Sequence, residues 1–234
     1  MSEMTAAEAA EVLEVSQRQV ARLASKEVLT VSRVVGRTLL LDSASVHRLA
    51  QRARRNGRPW SAATAWAALA LLSGKQADWM DAARLSRLRH RLRGINASDL
   101  VWLSRRRATI HQMRGWDAVT GLVPTGVSAL RDPENAALFG LSATDRGSDG
   151  YVAASAFPEL VTGSGLYDDI EGDVVVRVVP DDAGYRLEQS LVAAVAVDLA
   201  EALDTREAAA GERILTELLT EFRAGDGHRN RTRR

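Results

Sequence analysis

Residues 5–55 constrain the fold most, because three turn-separated patterns follow one another there at spacings that suit a small mixed domain. Thr5 stands three residues before Glu8, the spacing of a capping box, and Ala6, Ala9, Ala10 and Leu13 recur behind it at helical period. After the break Glu14-Val15, Ser16 is placed to cap a second helix. Its Val20, Leu23 and Ala24 face inward, which leaves Gln17, Arg18, Gln19 and Arg22 largely outside. Two β-branched or aliphatic runs, 31–35 and 38–41, flank Gly36-Arg37, the composition of a tight hairpin. Asp42 or Ser43 then caps a third helix through Val46, Leu49 and Ala53. A first domain over residues 1–58 is expected.

A basic stretch with Asn56-Gly57 and Pro59 reads as a linker or sharp turn, after which Ser61 opens a very apolar helix over 62–73. Its Trp66, Leu69 and Leu72 imply burial on more than one side, and Gly74 ends it. A further helix spans 81–93, and Ser98 restarts another through Leu100, Leu103 and Arg107. These helices predict a middle segment over 59–115. From Gly121 the texture changes to small residues and turns. An acidic loop over 167–173 leads into the apolar run 174–179, which reads as a buried strand with Arg177 paired to an acid. Two helices, 191–203 and 205–222, complete a small α+β domain over 116–224, and a basic tail over 225–234 is expected to be disordered.

Charge divides the chain more sharply than hydropathy does. Residues 1–115 hold 20 Lys/Arg against 9 Asp/Glu, a net of +11, whereas residues 116–224 hold 7 against 20, a net of −13. A basic half suits phosphate, and an acidic half suits a basic protein surface. The longest apolar stretch is about half the ~20 residues that span a bilayer, and no leader is evident, so a soluble, cytoplasmic protein without membrane contact is expected. With no cysteine, and with histidines at 47, 90, 111 and 228 showing no ligand-like spacing, neither a metal nor a cofactor is expected.

The stretch TAAEAAEVLEVSQRQVARLASKEVL, followed by VSRVVGRTLLLDSASVHRLAQR, resembles the excisionase-like or MerR-like winged helix-turn-helix. That resemblance implies that the second helix enters the major groove of double-stranded DNA. Ser16, Gln17, Arg18, Gln19 and Arg22 would then face the operator, and Arg33 and Arg37 on the wing would suit phosphate or minor groove. The segments GRPWSAATAWAALALLSG, RLSRLRHRLRG, DVVVRVVP and AAVAVDLAEALDTREAAAGERILTELL are similar to antitoxin-type regulators of the AbiEi group. This second resemblance implies a bacterial antitoxin that represses its own operon and neutralises a nucleotidyltransferase-class toxin.

No catalytic signature emerges. Gly163-Ser164-Gly165 lacks the third glycine of a dinucleotide loop, and Ser, His and Asp are present without a nucleophile elbow. The acidic group Asp168, Asp169, Glu171 and Asp173 lacks the spacing of a calcium loop and is read instead as a protein-binding surface. The sequence thus predicts a mainly helical α+β protein with an N-terminal winged helix-turn-helix, a helical middle and a C-terminal α+β domain. It is expected to be a non-enzymatic DNA-binding regulator that acts as a homodimer or in several copies on DNA. An excisionase-like recombination or architectural factor is the alternative.

Overall fold

The structure, a computed structural model, describes residues 3–13, 17–25, 28–36, 38–47, 58–115 and 119–231. The protein is mixed α+β and divides into two compact units, residues 1–57 and 58–234.

In the first unit a short strand β1 (Glu3–Thr5) runs into helix α1 (Ala6–Leu13), followed by α2 (Gln17–Ser25). Thr5 and Glu8 form the expected capping box: the Thr5 N–H donates to the Glu8 carboxylate at 2.7 Å, and the Glu8 N–H donates to Thr5 Oγ1 at 3.2 Å. Strands β2 (Val31–Val35) and β3 (Thr38–Asp42) make the hairpin, and β1 pairs with the far side of β3, a strand too short to leave a periodic signal. Asp42 caps the next helix, α3, described over 43–47, by accepting from the backbone of Ala44 and Ser45 at 3.3 and 3.1 Å. Ala9, Ala10, Leu13, Val20, Ala24 and Val46, inward residues that the periodicity selects, form the core together with Leu29 and Leu41. Leu49, Ala53 and the expected linker up to residue 57 lie outside the described residues.

The second unit opens with α4 (Ala62–Leu72), capped by Ser61, with residues 65–70 buried on every side. Helices α5 (Ala82–Gly94) and α6 (Ala97–Ser104) follow, capped by Asp81 and by an Asn96/Asp99 capping box. The sequence reading extends α6 to Arg107, but the helix stops at Ser104 and Arg107 turns into the interior. Then come β4 (Thr109–Arg114), β5 (Val123–Pro124), α7 (Gly126–Ala129), α8 (Pro133–Leu138), β6 (Ser148–Ala153), α9 (Phe157–Gly163), β7 (Tyr167–Asp168), β8 (Val174–Val179), a single 3-10 turn, α10 (Val192–Ala200) and α11 (Thr205–Arg231). Helix α11 continues past Gly225, through part of the segment for which a disordered tail is expected.

Five strands form one sheet in the order β5-β6-β8-β4-β7. β6 and β8 run parallel, and β8 and β4 antiparallel. Because side chains alternate across a strand, the sheet has two apolar faces. On one, Met113, Val152, Val174 and Val176 pack with Leu160 of α9 and Leu166. On the other, Tyr151 and Val179 join the main core with Trp66 of α4, Leu92 of α5, Leu100 of α6, and the apolar sides of α10 and α11. Residues 59–115 and 116–224 therefore share one core and one sheet, and the expected boundary at 115/116 is not a domain boundary. The physical reason is that α4 buries apolar surface all round, so it needs the later helices and strands as neighbours. Helices α10 and α11 approach so closely that a Cβ on Gly211 would stand 2.4 Å from the Ala200 nitrogen. Among the described residues, no helix is long and apolar enough to cross a membrane.

Candidate functional site

In the first unit, the N-terminal end of α2 carries the residues expected from the sequence to meet DNA. Val20 is fully buried, and Gln17 is exposed at the first helical position. Arg18, Gln19 and Arg22 lie on the same helix, with side chains outside the described part, and Ser16 and Arg37 lie outside the described residues. Arg33, expected to face phosphate, is exposed on β2 and donates from Nε and Nη2 to the Glu3 carboxylate on β1 at 3.1 and 3.0 Å. That pair bridges the two outer strands of the three-stranded sheet, so Arg33 has a structural partner the sequence does not reveal. Exposed pairs of this kind are worth about 0–1 kcal/mol, and a phosphate can displace the carboxylate.

In the second unit the acidic residues do not behave as one group. Asp168 in β7 is exposed, 3.9 Å from His111 Nδ1. Asp169 is held by Arg114 Nε at 2.6 Å and accepts the Glu171 N–H at 2.9 Å, while Arg114 Nη2 donates to the Glu171 carbonyl at 2.9 Å. Hydrogen bonds to Arg114 and Glu171 hold the Asp169 carboxyl below its ordinary value, and the turn is built on it. Asp168, Glu171 and Asp173 remain outward, with Ile170 at the tip 92% exposed. This is an acidic surface with an apolar point.

The second unit also contains a buried ionic cluster that the sequence only hints at. Arg107 donates to Asp198, to Glu201 and, through Nε, to Tyr151 Oη at 2.9 Å. Tyr151 in turn donates to Asp198 Oδ2 at 2.7 Å, and Thr125 Oγ1 donates to the same oxygen. Arg177 meets Asp149 through Nε at 2.6 Å and Nη2 at 2.9 Å, and its Nη1 lies 2.9 Å from Asp198. The expected acidic partner of Arg177 is therefore a pair, and Asp198 is a satisfied acid beside arginines.

Burial raises the Asp198 carboxyl, but Arg177 and Arg107 together outweigh it and hold the group below its ordinary value. Asp149 goes the other way, because burial exceeds what its one guanidinium partner returns. The Tyr151 hydroxyl is pushed up chiefly by burial, so it stays a donor to Asp198. Gly126 lines the cluster with φ +49°, and a Cβ there would stand 2.4 Å from Asp149 Oδ2. With every ionic group engaged and only Glu201 at its edge reaching solvent, the cluster clamps β6, β8, α10 and the 105–108 turn together. The signals that could have found it are the lone arginine in the apolar β8 run and the lone aspartate in the apolar α10. Arg107 itself is hidden in a run of three arginines, and Asp149, Tyr151 and Thr125 sit in loop-like sequence.

The candidate functional surfaces are thus outer ones: the start of α2 and the 168–173 turn. The charge map also shifts. Residues 1–57 hold nine Lys/Arg against six Asp/Glu, whereas residues 58–115 hold eleven against three, so most of the basic excess belongs to the second unit. Compared with protein families, with characterised proteins and with solved structures, the chain matches none.

Proposed function

We propose that this chain is a sequence-specific DNA-binding regulator whose first unit is a winged helix-turn-helix and whose second unit binds a protein partner. By the resemblance to AbiEi-group antitoxins, it neutralises a nucleotidyltransferase-class toxin and represses its own operon. The observation that carries the reading is the order of elements in the first unit: a capped α1, then α2 with Gln17 exposed at its start, then the β2–β3 hairpin. That order presents a helix start for base edges and a wing for the backbone.

Selection of bound sequences from a random duplex pool by the full chain, followed by footprinting, tests it. An operator should emerge, and Arg18→Ala should relax its sequence preference by about tenfold or more, the scale of one bidentate base contact at ~1–3 kcal/mol. A pool that returns no preferred sequence would overturn the reading. For the partner, neutralising Asp168, Glu171 and Asp173 while keeping Asp169, which holds the turn, should slow association with the cognate toxin and flatten its salt dependence. Toxin association at the wild-type rate would remove this surface from the proposal.

A further inference from the structure

A dense run of positive charge lies on α5, a helix to which the proposed function assigns no role. Between Asp81 and Asp99 the chain carries five arginines and no acid. Leu88 and Leu92 turn into the core at 4% and 0% exposure, which fixes the helix's rotation. Arg84, Arg87 and Arg91 then form one outward stripe at spacing i, i+3, i+7, and all three are exposed. Arg84 has an exposed partner in Asp81 at 3.2 Å, while Arg87 and Arg91 make no salt bridge among the described residues.

The helix dipole explains Arg91 and Arg93, which stand in the last turn where cations are favoured. It does not explain Arg84 and Arg87, which stand towards the opposite end, where the N-cap Asp81 meets Arg84 at 3.2 Å. Among the described residues only Arg84 of the stripe has a salt-bridge partner, so the exposed guanidiniums of Arg87 and Arg91 are open to an external anion.

We infer that this arginine stripe is a second contact to duplex DNA, one that holds phosphates and reads no bases. It rests on the reading of the chain as a DNA-binding protein, and it lies outside the unit to which base reading is assigned. Seven residues of helix span about 10 Å, the axial length of about three phosphates of one strand. A membrane surface fits poorly, because both buried leucines are committed to the core and no large apolar side chain of α5 is exposed to insert. The same lack of an apolar anchor disfavours an acidic protein, whose interface needs a desolvated centre. Exposed guanidiniums on a rigid helix, with Asp81 as the one acid in salt-bridge reach of the stripe among the described residues, suit a phosphate track.

The test uses the full chain, a 30-base-pair duplex carrying the selected operator and a scrambled duplex of equal length, each titrated by fluorescence anisotropy from 50 to 200 mM salt. The triple variant Arg84→Gln, Arg87→Gln, Arg91→Gln should lower the slope of log affinity against log salt by about two to three on both duplexes. That removes on the order of 40-fold from the salt response over this range. The ratio of operator to scrambled affinity should stay unchanged, and the matching triple Arg→Lys variant, which keeps the charge, should keep the slope.

A wild-type slope in the Gln triple, with its tryptophan emission showing a folded second unit, overturns the inference and leaves operator recognition standing. A slope that depends on α5 in a protein with no preferred sequence upholds the inference and overturns operator recognition. A slope loss seen only with duplex RNA, or competition by an acidic peptide and not by DNA, also overturns it.

Discussion

The two units solve the same problem with different means. The first builds its core from alanine, valine and leucine; none of its residues is aromatic, and its caps are local. Its buried polar side chain among the described residues, Ser45, spans only a short distance, donating to the Asp42 carbonyl and accepting the Thr30 N–H. The second holds all five tryptophans and buries four charged side chains of one connected cluster, Arg107, Asp149, Arg177 and Asp198. A small unit has little stability to spare for desolvating ions, so it relies on local rules. A larger core can carry an ionic cluster and gains a fixed register between β6, β8 and α10, because only one alignment satisfies every group.

The contrast can be broken most directly at Asp198. Replacing it by alanine leaves Arg107 and Arg177 buried without their shared acid, and should cost the second unit about 3–5 kcal/mol. Since every tryptophan lies in that unit, the urea midpoint followed by tryptophan emission should fall while the ellipticity of the first unit persists at low urea. The mirror experiment is Leu41→Ala, at a fully buried β3 position, expected to cost about 3 kcal/mol. Here ellipticity should be lost with the tryptophan midpoint unmoved. Coincident shifts in both probes would show that the units unfold as one.

A smaller effect is expected at Gly126, where alanine meets both the positive φ and the Asp149 oxygen. A loss of about 2 kcal/mol in the tryptophan-detected midpoint should follow, and a neutral outcome would mean that the cluster yields more readily than its connections imply.

The smallest effect sharpens the comparison at the first unit's cap. The Thr5 backbone N–H, and then its hydroxyl, hold the Glu8 carboxyl below its ordinary 4.5. Its stabilisation is therefore whole above that value and fades as pH falls through the lowered one. Glu8→Gln should flatten the acid limb of the first unit's ellipticity, and an unchanged limb would place the pH dependence elsewhere.

How much of this was legible depended on distance along the chain. The caps Thr5 and Ser61, the apolar α4 and the buried β8 are encoded within a few residues and are read correctly, whereas Asp81, read as helical, is the cap of α5. The short strands β1, β5 and β7 carry no period, and the pairing of β4 with β8 joins residues that no local pattern connects. Arg107 was read as helical because its neighbours are. What removes it from the helix is an acid 91 positions away. For the same reason the boundary expected at residue 115 followed a change of texture, whereas the core followed the need of α4 for partners. At the acidic turn, composition found the surface but could not separate Asp169, which builds it, from the three acids that face outward.

That separation of 91 residues between Arg107 and Asp198 sets an order of events during synthesis. At about 5–20 residues per second, Arg107 is made roughly 5 to 20 seconds before its acid exists, and β4 waits almost as long for β8. Over that interval the first unit, complete by residue 57 and built from neighbouring contacts, is free to fold. The α5 arginines then stand on a segment that still lacks its core. A nascent chain of this protein therefore acquires its first unit first and the clamp that secures its second unit last.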